Sequence, residues 1–407
     1  MWKVRLVFAV VSIACVLPRS RTYTIQNELS LHTALFPTTY DPHVRPGTDR
    51  TNPLQINVTF YLFSIKEFDE TISKFSITGG LAVSWIDDRL TWDPTNYGGI
   101  EVTVVPQKKL WIPYLVNMLD YNSLSEIGHQ NMNVRVEKDG QVNWVTPNLF
   151  ESTCDADLSY YPFDTQTCTL RFFIPGYLPS EIVFMISEQM YMSEFSANSL
   201  WKVTETKLFT FTNTLLLQEA RMAITMRRRP VYYISSLILP VAFLSFLQLC
   251  VFLMPPDCGE RVGFVVTVLL AIAVYLTLVQ DKLPEGSEPS VSFLSYKLLG
   301  DFMVGVFMVV GVVIGLRFYQ REEDKPIPNY LQTFHRISLC DCFCYRRKRK
   351  VHFDEGDTVK DVTLDPVTEI LTWRDIGIAT DRFCLKVFGF CLMNCNILYL
   401  IVLAILA

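Results

Sequence analysis

The segment Cys154-Asp155-Ala156-Asp157-Leu158-Ser159-Tyr160-Tyr161-Pro162-Phe163-Asp164-Thr165-Gln166-Thr167-Cys168 encloses thirteen residues between two cysteines. Of the eleven cysteines in the chain, only Cys154 and Cys168 fall within residues 23–230, and an even pair there invites one disulfide. Closing a loop of this size restricts the unfolded chain by about 3 kcal/mol on the entropic account. A disulfide alone in a β-domain usually signals stability and nothing more. Here the enclosed tip, Tyr160-Tyr161-Pro162-Phe163 flanked by Asp157 and Asp164, is apolar and suited to pressing onto a membrane domain rather than facing water.

Around that loop the chain reads as sheet. Residues 55–63, 72–85, 101–105, 133–145, 166–174, 181–186 and 201–226 alternate or cluster β-branched and aromatic side chains, with Pro and Gly between them. About 200 residues of this pattern fit one all-β sandwich, immunoglobulin-like and of about ten strands. A short amphipathic helix near 25–35 is positioned to cap it.

Downstream the composition changes. Half of the 407 residues are apolar and 19% charged, whereas soluble domains are nearer a quarter charged. The excess lies in four runs long enough to cross a bilayer: 231–254, 261–281, 291–316 and 383–407. Residues 317–382 carry twelve Lys or Arg, so the positive-inside rule makes this loop cytosolic, with a helix before the last run. Residues 1–22 read as a secretory signal, with Lys3 and Arg5 ahead of an apolar run too short to span. Both signs place 23–230 and the C-terminus outside the cell, at the plasma membrane. Asn57-Val58-Thr59 is a glycosylation sequon consistent with that side. A net charge of −5 is too small to argue for nucleic acid.

In the second run, Gly263, Thr267, Leu270, Val274, Thr277 and Asp281 recur at helical intervals and form one stripe. From Glu260 to Asp281 the rise is about 31 Å, enough to cross the hydrocarbon. The stripe has hydroxyl or small side chains toward the inside, bulky apolar ones at mid-depth, and a carboxylate at each end. A ring of such helices around water has charged mouths and a dry waist, which select and gate ions. A polar packing face inside a closed bundle is the alternative.

These features together resemble the Cys-loop, or pentameric, ligand-gated ion channels. The loop holding Tyr161-Pro162-Phe163-Asp164 is the most specific mark. Trp85-Ile86-Asp87 through Trp92-Asp93-Pro94, Trp111-Ile112-Pro113, Trp144 with Pro147, Arg228-Arg229-Pro230 and Trp373 are also similar to family segments. The resemblance is strongest to the cation-selective nicotinic and serotonin-gated branch, and an invertebrate orphan member fits best. It implies a homo- or hetero-pentamer in membrane lipid, opened by a small-molecule agonist and passing cations. It requires no cofactor and no metal. Gly259-Glu260-Arg261 is similar to the cation-selective form of the pore motif, so Glu260 is expected to ring the cytosolic mouth and Arg261 to turn toward protein or the interface. Leu270 resembles the gate leucine, with Val274 as a second apolar ring.

The resemblance also assigns coupling. Asp69 and Glu70, in the turn between the first strands, are expected to pair with Arg228 at the membrane surface. Lys282 and Pro284 are expected to meet Pro162 and Phe163 of the disulfide loop, beside Asp164. The family's aromatic cage for a cationic amine is nearly absent here: Gly80, Pro175 and Met118 stand where rings are expected. Met118, Tyr121, Phe173, Tyr177, Phe209 and Phe211 are candidates for a remodelled pocket, although core packing explains each about as well. A different ligand, a subunit supplying only the complementary face, and a small shift of register all remain open. A non-conducting accessory subunit is the second reading. An enzyme is a poor third, since no nucleophile–base pair or phosphate loop occurs and His32, His43 and His129 match no metal spacing.

Overall fold

A computed structural model describes residues 23–124, 127–128, 132–186, 190–257, 259–281, 291–323, 325–340 and 371–406. Helix α1 (Ile25–Leu35) starts at Thr24, whose hydroxyl accepts the N–H of Asn27, and it lays Leu31 and Leu35 on the sandwich. Ten strands follow: β1 (Leu54–Asp69), β2 (Lys74–Thr91), β3 (Val102–Pro106), β4 (Val116–Asn117), β5 (Asn133–Glu137), β6 (Asp139–Thr153), β7 (Thr165–Phe173), β8 (Ile182–Ile186), β9 (Trp201–Thr212) and β10 (Gln218–Arg228). They form a six-stranded sheet, β3-β5-β6-β2-β1-β8, packed on a four-stranded one, β4-β7-β10-β9.

Alternation decides which face of each strand turns inward. Along β10, Ala220, Met222, Ile224 and Met226 are buried against the core while Arg221, Ala223 and Thr225 face outward. Across the gap, Phe60, Phe75, Ile77, Trp85 and Trp144 fill the interior. Polar tips inside need partners, and the Trp144 indole N–H donates to Gln107 Oε1 at 3.1 Å. Gly79 is required where it stands: a β-carbon there would lie 2.6 Å from the Phe60 ring and 2.8 Å from the Tyr61 carbonyl oxygen.

Four apolar helices of membrane-spanning length follow. Helix α2 (Val231–Leu253) contains a π turn at Ile234–Ile238, just before Pro240. Proline has no N–H to offer the carbonyl one turn back, that of Ser236. The Tyr275 hydroxyl of the next helix donates to that carbonyl instead, at 3.1 Å. Helix α3 (Arg261–Gln280) and helix α4 (Phe293–Tyr319) pack beside it, and short α5 (Asn329–Cys340) leads to α6 (Trp373–Leu406).

Helix α6 joins the helix expected ahead of the fourth run to that run without a break, and it starts at Trp373. The cause is local: Asp375 accepts from the Thr372 N–H at 3.0 Å while the Thr372 hydroxyl accepts from the Asp375 N–H at 3.3 Å, a capping box. Trp373, 1% exposed, anchors that turn through a 2.8 Å hydrogen bond to the Lys325 carbonyl. The signal segment 1–22 and residues 341–370 of the cytosolic loop lie outside the described residues.

Candidate functional site

The strand β10 ends with Arg228, just ahead of the first span, and its side chain turns inward rather than toward solvent. Cys154 and Cys168 are joined, which ties the loop between them to β7 beside β10. Asp164 from that loop takes Arg228 Nε at 2.7 Å and Nη2 at 3.0 Å, and Glu70 from the β1–β2 turn takes Nη2 at 2.6 Å. The third side is aromatic: the guanidinium carbon lies 4.3 Å from the Trp201 ring centre and 4.8 Å from that of Tyr161. Burial works against the Arg228 charge, but Asp164, joined by Glu70, outweighs it and pushes the guanidinium pKa up.

Arg228 thus gathers three segments, and it reaches a fourth. Its Nη1 donates to the Tyr233 hydroxyl of α2 at 3.2 Å, and Tyr161 packs edge-on against the same ring. On the other flank Tyr160 stacks on Phe293 at the start of α4, whose N–H donates to the Ser159 carbonyl at 3.0 Å. The apolar tip of the disulfide loop therefore presses onto two helices. Phe163 is half-buried and packs on the sandwich core. The expected meeting of Pro162 and Phe163 with Lys282 and Pro284 lies outside the described residues.

The two acidic candidates in the β1–β2 turn separate. Glu70 makes the ion pair with Arg228. Asp69 instead accepts from the Thr71 N–H at 2.9 Å and the Thr71 hydroxyl at 2.5 Å, shaping the turn. Asp281, expected at the outer pore mouth, lines the cleft formed by Glu67, Phe68, Glu70, Trp201 and Tyr233.

Along α3, Gly263, Thr267, Leu270, Val274 and Thr277 all face outward from the bundle, as does Glu260 just before the helix. Val265, Val268, Ile272 and Val279 face inward. Arg261 turns into protein rather than snorkelling to the interface. It is 1% exposed and forks onto Asp381 of α6, Nη1 to Oδ2 at 2.9 Å and Nη2 to Oδ1 at 2.7 Å. Its Nε donates to the Val251 carbonyl of α2 at 3.1 Å. Asp381 was not anticipated, because it lies 120 residues from Arg261. An acid about two turns beyond the capping Asp375 on α6 was the available signal.

The ligand candidates are only partly assembled. Phe173 pairs with Val116, the Met118 N–H donates to the Arg171 carbonyl at 2.7 Å, and Phe209 and Phe211 are exposed on β9. Tyr177 packs on the core. Tyr121 lies with the other sheet, its ring 5.5 Å from Lys74 Nζ and its N–H on the Glu151 carbonyl. It is separated because β4 is only two residues long and the chain then crosses to the end of β6. Charge fills the middle of the group: Glu219, wholly buried, binds Arg171 at 2.8 Å and Arg221 at 2.8 Å. Burial alone would raise the Glu219 pKa; bonds from Arg171, Arg221 and Asn213 override it and bring it down to about 2. Arg221 also sits over the Phe211 ring, 3.6 Å from its centre. At Gly80 the Phe63 ring lies 3.4 Å from where a β-carbon would stand. Asn57 is exposed on β1.

A β-sandwich joined through Arg228 and the disulfide loop to a bundle of helices of membrane-spanning length defines a receptor-type membrane protein. Residues 28–230 match the neurotransmitter-gated ion-channel ligand binding domain, and residues 237–352 match the neurotransmitter-gated ion-channel transmembrane region. The chain belongs to the neurotransmitter-gated ion-channel family. Among curated proteins it is 29% identical over 329 residues to the rat neuronal acetylcholine receptor subunit alpha-6, covering 79% of this chain and 66% of that protein. It is 31% identical over 316 residues to the Caenorhabditis elegans acetylcholine receptor subunit beta-type unc-29, covering 76% and 63%. It is 26% identical over 343 residues to the Xenopus laevis acetylcholine receptor subunit beta, covering 81% and 69%. The matched stretch therefore spans roughly two thirds of the length of these relatives.

Proposed function

We propose that the chain is one subunit of a homo- or hetero-pentameric channel of the plasma membrane, opened by a small-molecule agonist at the extracellular subunit interface and selective for cations. The observation that carries this reading is the outward stripe of α3, from Glu260 through Thr267 to Leu270, Val274 and Thr277. A helix facing lipid gains nothing from exposed hydroxyls and a carboxylate, whereas a helix facing water does. Glu260, repeated around a ring, attracts cations; Leu270 and Val274, 63% and 51% exposed, supply a constriction that excludes water when closed. The pairing of Arg261 with Asp381 supports this charge assignment, because it keeps a guanidinium out of the cytosolic mouth.

Three of the matched relatives are named acetylcholine receptor subunits, but the pocket here favours other chemistry. A cationic amine is held by open aromatic faces. In this chain Arg221 already covers the Phe211 ring. Either the agonist is not a quaternary amine, or this subunit contributes only the complementary face beside a relative that carries the cage.

The test is expression of the chain alone and with nicotinic-type relatives in oocytes, recording reversal potentials under sodium and chloride substitution. Reversal that follows sodium supports the assignment of Glu260, and reversal that follows chloride overturns it. A complex found only with relatives, with unchanged conductance on Glu260→Gln, favours an accessory subunit.

A further inference from the structure

The membrane bundle contains a second buried ion pair that the pore does not use. Lys297 and Asp301 stand one turn apart on α4, with Lys297 Nζ 2.5 Å from Asp301 Oδ2 and the two side chains 5% and 0% exposed. Ionisable groups at such depth are costly and are kept only where they serve something. The Ser245 hydroxyl of α2 donates to the same Oδ2 at 3.3 Å. The other oxygen, Asp301 Oδ1, has no protein partner, and neither do both amide atoms of Gln248 or the hydroxyl of Tyr399. Of the five unpartnered buried side-chain atoms among the described residues, four belong to this one region.

Their placement is coherent. Gln248 lies one turn beyond Ser245 on α2, and its amide faces Gly305, one turn beyond Asp301 on α4; a β-carbon at Gly305 would meet Gln248 Nε2 at 2.6 Å. Helix α6 runs antiparallel to α4, setting Asp381 beside Gly315 and Cys384 beside Gly311. Continued outward, the same register brings Tyr399 to the level of Lys297. One helical turn rises about 5.4 Å, close to twice a hydrogen-bond length, so the levels of Asp301 and Gln248 are spaced for one bridging molecule.

We infer that Asp301, Gln248 and Tyr399, with Lys297 and Ser245, form an internal hydration site within each subunit, separate from the pore. Its ligand is water. A water molecule donates to Asp301 Oδ1 and the Gln248 carbonyl and accepts from the Gln248 amide or the Tyr399 hydroxyl, within the two to four polar partners that hold a buried water. A larger apolar guest satisfies none of these atoms, and in hydrocarbon each unmet polar group is expensive. The glycine at 305 leaves the space that the Gln248 amide occupies.

The test uses the assembled full-length receptor in lipid nanodiscs and X-ray hydroxyl-radical footprinting, which oxidises side chains beside bound water even when they are buried. Tyr399 is expected to be oxidised although only 6% exposed, while Met308, 0% exposed in an apolar cluster, stays protected. The double variant Lys297→Met with Asp301→Leu is expected to abolish labelling of Tyr399. If that variant does not assemble, Gln248→Leu, which keeps the ion pair, is expected to lower the labelling severalfold. Protection of Tyr399 equal to that of Met308 in the unmodified receptor overturns the proposal, as does labelling unchanged in the variant that assembles.

Discussion

Arg228 and Asp164 meet through two parallel N–H···O bonds, at 2.7 and 3.0 Å, with 2% and 1% of their side chains exposed. A pair this deep is costly to break from one side, because the surviving charge has no water to turn to. Asp164→Ala is expected to destabilise the receptor by about 3–5 kcal/mol and to remove most assembled protein from the cell surface. Glu70, 16% exposed, stands at the rim of the same cluster. Glu70→Gln retains a hydrogen-bond acceptor and should cost about 1 kcal/mol, leaving assembly intact. Surface labelling and thermal unfolding of both variants check this division, and equal losses would contradict it.

Glu219 gives the β-sandwich a defined pH response. Its pKa falls from an ordinary 4.5 to about 2 in the folded chain. A depressed folded pKa contributes stability that is fully present above 4.5 and is lost as pH falls through about 2. Between pH 7 and 5 this group is therefore silent. Thermal unfolding of the detergent-solubilised chain should show a Glu219-dependent decline only below pH 4.5, and Glu219→Gln should be less stable at neutral pH and lack that decline.

Arg261 and Asp381 join α3 to α6 at the end of the bundle where Glu260 lies. If the pair is structural and faces away from the ion path, Asp381→Ala should lower assembly, by about 3–5 kcal/mol, without moving the reversal potential of the channels that survive. Glu260→Gln should do the reverse, preserving assembly and weakening sodium selectivity. A shifted reversal potential in Asp381→Ala would place Arg261 in the conduction path after all.

What could be read without coordinates was local. Apolar runs and strand alternation repeat over a few residues, so the spans at 231–254 and 261–281 end within a residue of α2 and α3. The stripe from Gly263 to Thr277 was legible for the same reason, since helical spacing alone puts those residues on one face. Among partners distant in sequence, Glu70 and Arg228 were legible only through the family resemblance, and the others were not. Nothing near Arg261 names Asp381, and Lys297 and Asp301 are hidden inside a run whose average is apolar. Their spacing of four residues was the one available sign. The helix ahead of the last run was legible from its periodicity, and its first turn is set by the Thr372–Asp375 capping box.

The position of the gate can be tested on one helix by comparing its two faces. Leu270 is 63% exposed on the stripe, while Ile272, two residues away, is 1% exposed within the bundle. A leucine ring at mid-depth closes a pore by making water unfavourable there, and a hydroxyl in its place restores hydration. Leu270→Ser should therefore produce a standing conductance without agonist. If the closed state is favoured by a few kcal/mol, each 1.4 kcal/mol removed raises the open fraction about tenfold. Ile272→Ser places the same hydroxyl among packed side chains, where it costs stability and wets nothing. It should reduce the number of channels at the surface and add no leak. Leak current normalised to surface protein separates the two. A leak from Ile272→Ser with none from Leu270→Ser would mean that the pore lies on the opposite face of α3.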